Sequence, residues 1–160
     1  MYKIIITIIL LVIALVIGRM VFLSLTSRTP DTSLVNGKLR PCPATPNCVS
    51  SEEQEDSKRL APFSYTSSTD VAWDNLQQAI KKSGGVVQRF DDPYLWATYT
   101  TRIFRYVDDM EFKLVAEQKI IHVRSGSRVG KSDLGVNRKN VEKLRRNFET
   151  AQTSPQIFSQ

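Results

Sequence analysis

Cysteine and histidine are scarce in this chain of 160 residues, which has two of the first and one of the second. Three such residues cannot supply the four ligands of a closed zinc site. Their spacing is neither C-x-x-C nor C-x-x-C-H, so no metal centre is expected. Glycine numbers only seven, and Gly126, Gly130 and Gly135 match neither the P-loop nor the dinucleotide fingerprint, so no cofactor is expected. No lipobox precedes Cys42, no A-x-A cleavage site follows the apolar N-terminus, and no internal repeat is present. The length allows one modest core plus appendages. No stretch therefore fixes a reaction.

What the chain does have is a long apolar run at its start. "IIITIILLVIALVI" begins at Ile4, and with "GRMVFLSL" it reaches Leu25, 22 residues in all, about enough to cross a ~30 Å hydrocarbon core. Residues 1–28 are read as a membrane anchor or uncleaved signal, with Arg19 able to snorkel to the interface. Lys3 and the amino terminus on one side face Arg19 and Arg28 on the other, so charge gives no orientation. The two cysteines supply one. In "RPCPATPNCVSS" five residues, two of them proline, separate Cys42 from Cys48, and the constrained loop favours a disulfide. Closing it is worth about 2.4 kcal/mol in the chain-entropy model. A disulfide requires an oxidising compartment, whereas a reduced pair in a cytosolic loop is the alternative. The reading adopted is a single-pass protein of the cytoplasmic membrane with its body in the periplasm or outside.

Residues 29–66, rich in Pro, Ser, Thr and acidic residues, read as an irregular tether and disulfide-pinned lead-in, with "SEEQEDSKR" as a solvated charge run. Residues 67–150 carry the periodic pattern, and 151–160 read as a flexible tail. A helix capped by Ser68, Thr69 or Asp70 places Trp73, Leu76, Ala79 and Ile80 on one face and stops at Gly84 and Gly85. Four strands follow, "VVQRF", "YLWATYTTRIF", a segment around "MEFKLVAE" and "KIIHVRSGSRV", with gaps short enough for antiparallel hairpins. A last helix runs from about Asp133 to Glu149 with Leu134, Val141, Leu144 and Phe148 on its apolar face. The expected fold is α+β, an antiparallel four-stranded sheet with both helices on one face, helix-grip-like.

The motifs "CPATPNCVSS", "FRYVDDMEF" and "RSGSRVGKSDLGVNRK", in that order, closely resemble those of the bacterial and plastid family called domain of unknown function 1499. The resemblance spans about Leu39 to Phe148. It implies membrane or envelope association and no established activity, and it brings no catalytic residues.

Side chains alternate along a strand. Ser125 and Ser127 therefore share the helix-facing side of the last strand, opposite His122, Arg124 and Arg128. On the preceding strand Asp108 falls on the apolar side unless a bulge at the double Asp shifts the register. Asn137 sits in the apolar stripe of the last helix. Asp108, Ser125, Ser127 and Asn137 are expected to meet beneath that helix as a polar cluster fixing register, while Arg124 and Arg128 pair across the sheet with Asp109 and Glu111. Ser132 or Asp133 caps the helix and competes with any anion there.

Arg124 to Arg146 contains eight basic residues against two acidic ones, a surplus equal to the formal +6 of the whole chain. Arg124, Arg128, Arg138, Lys139, Arg145 and Arg146 form the candidate basic face. Its two helical rows, Arg138 with Arg145 and Lys139 with Arg146, are expected to be exposed and dispensable for folding. The favoured function is a non-catalytic membrane-tethered module binding an envelope protein, an anionic lipid or a glycan. A hydrolase or transferase using Asp108 with His122 or Ser125 is the alternative. Nucleic acid fits the basic helix but not the compartment.

Overall fold

The computed structural model describes residues 2–101 and 104–153. Its elements, in chain order, are α1 (Tyr2–Leu25), β1 (Cys48–Ser50), β2 (Phe63–Ser64), α2 (Thr69–Ser83), β3 (Val86–Asp91), β4 (Tyr94–Thr100), β5 (Val107–Val115), β6 (Ile120–Ser127) and α3 (Val136–Thr153). At 1.5 Å per residue the 24 residues of α1 span about 36 Å, longer than the ~30 Å core of a bilayer. Its apolar window is unburied, as a membrane anchor or a signal sequence requires. At its C-terminal end the Ser24 hydroxyl donates to the Arg105 carbonyl, which ties α1 to the β4–β5 connection.

The strands form one antiparallel sheet in the order β1-β6-β5-β4-β3, with β2 also paired to β6. Among the described residues it has six strands where the sequence predicted four. The two additional strands come from the lead-in read as irregular. Strands of three and two residues carry no legible alternation; the outer edge of β6 dictates them, pairing Val49 with Ser125 and Phe63 with Ile121. The part of "YLWATYTTRIF" at Arg102 and Ile103 lies outside the described residues, as does the predicted tail from residue 154 onward. Residues 151–153 belong to α3.

Helix α2 begins where Ser68 accepts the Val71 N–H and ends at Gly84 in the left-handed conformation. Gly85 is required by close approach, because a Cβ there would stand 2.6 Å from the Tyr99 ring. Trp73, Leu76 and Ile80 from α2 and Val141, Leu144 and Phe148 from α3 close over Leu95, Met110, Phe112, Ile121 and Val123 of the sheet. The expected membership of Leu134 in this stripe is not observed. Leu134 is 88% exposed with φ of +52°, because α3 starts at Val136 after a tight turn. The Asp133 carboxylate closes that turn, accepting the Gly135 N–H at 3.0 Å and the Asn137 N–H at 2.7 Å.

The register of β5 against both neighbours is continuous, so no bulge interrupts the double Asp. Tyr99, Asp108 and Ser127 are cross-strand partners on the helix side, while Glu111 and Arg124 are partners on the opposite side. That opposite side is covered too. Residues 29–53 reach across it, with Arg40 on Glu111 and Glu52 on Lys113. Cys42 and Cys48, joined by a disulfide with Cα atoms 5.6 Å apart, pin this cover to β6.

Candidate functional site

The four predicted polar residues do meet. Ser127 donates to Asp108 Oδ1, Asn137 Nδ2 donates to Ser127 Oγ at 2.9 Å, and Ser125 donates to Asn137 Oδ1. A fifth member, Asn47, closes the network: its carbonyl accepts from Asn137 Nδ2 at 3.1 Å, and its own amide donates to the Gly130 carbonyl at 2.8 Å. Asn47 was not singled out from sequence, although it lies inside the "CPATPNCVSS" motif. The network thus joins lead-in, sheet and α3. Such satisfied buried groups fix register, since an unmade bond here costs about 1–3 kcal/mol.

Asp108 also lines a cleft of about 600 Å³, together with Tyr99, Phe104, Tyr106, Val136 and Asn140. Only 4% of the residue is exposed. Burial raises its pKa above the ordinary carboxylate value, Ser127 opposes the shift, and the charges of Asp133 and Asp109 add to it. Beside it, burial pushes Tyr99 up to about 12, and the Tyr99 hydroxyl lies 2.8 Å from Ser83 Oγ. The alternative catalytic partners stand apart from the cleft. Ser125 is engaged with Asn137. His122 lies on the far face with its Nδ1 3.0 Å from the Ser51 hydroxyl.

That far face carries a buried charge network. Glu111, fully buried, binds Arg40 and Arg124 through Oε1 at 2.7 and 2.9 Å, and its Oε2 accepts from the Tyr94 hydroxyl at 2.8 Å. Asp109 receives a two-pronged contact from Arg128, at 2.9 and 2.8 Å, and accepts from Trp96 Nε1 at 2.9 Å. The predicted pairing of Arg124 and Arg128 with Glu111 and Asp109 is therefore observed. Their inclusion in an exposed basic face is not, because the lead-in covers them and leaves 8% and 11% of the side chains exposed. "SEEQEDSKR" is likewise only partly solvated. Glu52, 13% exposed, pairs with Lys113 and accepts the Leu39 N–H at 2.6 Å, and Glu53 accepts the Cys42 N–H.

One of the two basic rows of α3 also differs from expectation. Arg138 donates to the carbonyls of Ser57 and Arg59. Arg145 donates to those of Ala61 and Pro62 and lies 4.4 Å from the Phe63 ring centroid. This row fastens the lead-in to α3. Lys139 and Arg146 are exposed.

The molecule is an α+β domain behind an apolar N-terminal helix, with a disulfide-pinned cover on one side of its sheet and a cleft lined in part by Asp108 on the other. Residues 38–148 match the family described as "Protein of unknown function (DUF1499)", and the chain belongs to that family. No curated protein and no solved structure matches it.

Proposed function

We propose that this is a single-pass protein of the cytoplasmic membrane, its domain on the periplasmic or outer side, and that the domain is a non-catalytic binding module for a lipid-like envelope ligand. The observation that carries this reading is the cleft. At about 600 Å³ it falls within the ~300–1,000 Å³ range of pockets that enclose small ligands. Tyr99, Phe104, Tyr106 and Val136 line it beside the polar Thr100, Thr101 and Asn140, and it opens beside the connection that α1 touches through Ser24. A ligand delivered from a bilayer surface meets this end of the domain first. Asp108, biased by burial toward its protonated form, lowers the cost of an apolar body lying against it. A fluorescent lysophospholipid titrated into the full chain in detergent should bind saturably, and Val136→Glu, which puts a charge in the wall, should weaken it at least about fivefold. Equal affinity in parent and variant removes the reading.

One observation favours a hydrolase or transferase instead: a carboxyl with a raised pKa in a cleft is a common general base. Against it, Ser125 is held by Asn137 and His122 is on the other side of the sheet. Loss of cellular function in Asp108→Asn with an unchanged melting temperature would favour that second reading.

A further inference from the structure

Beneath the lead-in, on the face opposite the cleft, lies a separate cavity of about 160 Å³ lined by Arg28, Arg40, Arg124, Arg128 and Asp109 and backed by Cys48 of the disulfide. We propose that it binds a phosphate-type oxyanion, an inorganic phosphate or a phosphomonoester headgroup. The proposal does not rest on the cleft or its ligand.

Charge comes first. Four guanidinium groups line the cavity, and the carboxylates that meet them are Asp109, held by Arg128, and Glu111, shared by Arg40 and Arg124. Two positive charges are left over. A phosphomonoester carries about −1.5 to −2 at pH 7, which matches that surplus. The donors come second. Arg124 is 8% exposed, and its Nε and that of Arg40 are buried with no hydrogen-bond partner. A buried N–H without an acceptor is costly, and an oxyanion presents several acceptor oxygens to guanidinium forks. Arg28, at the rim, is exposed, makes no ion pair among the described residues, and follows the last residue of α1 by only three positions.

Size sets the limit. A cavity of 160 Å³ lies below the ~300 Å³ at which pockets enclose drug-sized ligands. It admits one tetrahedral group, with any attached chain left outside. Burial pushes the Arg124 guanidinium below its ordinary pKa while Glu111 opposes the shift, and a second anion beside it would oppose it further.

The test uses the full chain in detergent, titrated with inorganic phosphate at constant ionic strength against sodium chloride. Phosphate should bind saturably and chloride should not. Arg28→Gln, which removes no internal ion pair, should weaken phosphate about tenfold or more, the effect of losing one charge-assisted hydrogen bond. Arg146→Gln on the exposed face of α3 should leave the affinity unchanged. Nanodiscs separate the two sources. If phosphatidic acid discs abolish phosphate binding relative to phosphatidylcholine discs, a lipid headgroup fills the cavity; if both discs leave it intact, the ligand is soluble. No saturable phosphate binding, equal affinity in parent and Arg28→Gln, or equal weakening by Arg146→Gln overturns the proposal. Lysophospholipid binding lost by Val136→Glu with phosphate binding intact would keep this site apart from the cleft.

Discussion

The two faces of the central sheet are both buried, yet they are built on opposite principles. Toward the helices, Leu95, Met110, Phe112, Ile121 and Val123 make a dry apolar layer, with the Asp108 network confined to one end. Away from them, Glu111, Asp109, Arg124 and Arg128 lie under a lead-in with little regular structure and pair with one another, with Arg124 Nε left without a partner. The apolar layer supplies the stability, because its burial is favourable in itself. The charged layer supplies little net stability, because desolvation offsets the attraction. It imposes instead a requirement that every partner be present, and the lead-in supplies Arg40 to it.

The largest expected effect follows from that requirement. Glu111→Ala strands Arg40, Arg124 and the Tyr94 hydroxyl, and should destabilise the full chain by about 3–5 kcal/mol in denaturant unfolding. Replacing Glu111, Arg40 and Arg124 together by apolar residues of similar volume should recover most of that loss. A triple variant as unstable as Glu111→Ala would mean that the charged face contributes net attraction after all.

On the helix face the matching change is smaller. Asp108→Ala leaves Ser127 without its acceptor and should cost about 1–3 kcal/mol, read as a lowered melting temperature. The two faces also respond to acid with opposite sign. Burial raises the pKa of Asp108 above its ordinary value, so between the unfolded and folded values the native state holds more protons. As pH falls through that raised value, Asp108 therefore strengthens the fold. Burial lowers His122 below its ordinary value, Glu52 opposing the shift. As pH falls from the unfolded His value toward the folded one, His122 weakens the fold. Asp108→Asn should remove the first slope and His122→Gln the second, smallest effect, in melting curves taken across the acidic range. Identical pH profiles in parent and variant would contradict the assignment for that residue.

Much of the helix face is legible in the sequence because alternation and helical spacing are local signals. Val141, Leu144, Phe148 and Asn137 follow the 3.6 period, and Asp108, Ser125 and Ser127 follow the period of two, so spacing alone brings them together. Leu134 fits the same period but stands outside the helix, because Asp133 caps one turn later than the pattern implies. The other face misleads for a physical reason. Period-two alternation tells which residues share a side, and a charged side ordinarily meets water. Its cover, residues 29–53, has no periodicity to read. Only the pair of cysteines and the excess of carboxylates in "SEEQEDSKR" mark that segment as more than a tether. Arg138 and Arg145 look like a free basic row for the same reason, since the carbonyls they bind belong to the aperiodic stretch that follows that cover.

The central claim is that the charged side of the sheet is interior. Lys113 stands on it with a side chain 12% exposed and bound to Glu52, whereas Lys139 on α3 is exposed. Amine acylation of the folded full chain, followed residue by residue by mass spectrometry, compares the two directly. Lys113 should react at least about tenfold more slowly than Lys139 in the folded chain, and at the same rate once the chain is unfolded. Equal rates in the folded chain would mean that the lead-in does not cover the sheet, and the account of the charged face would fail.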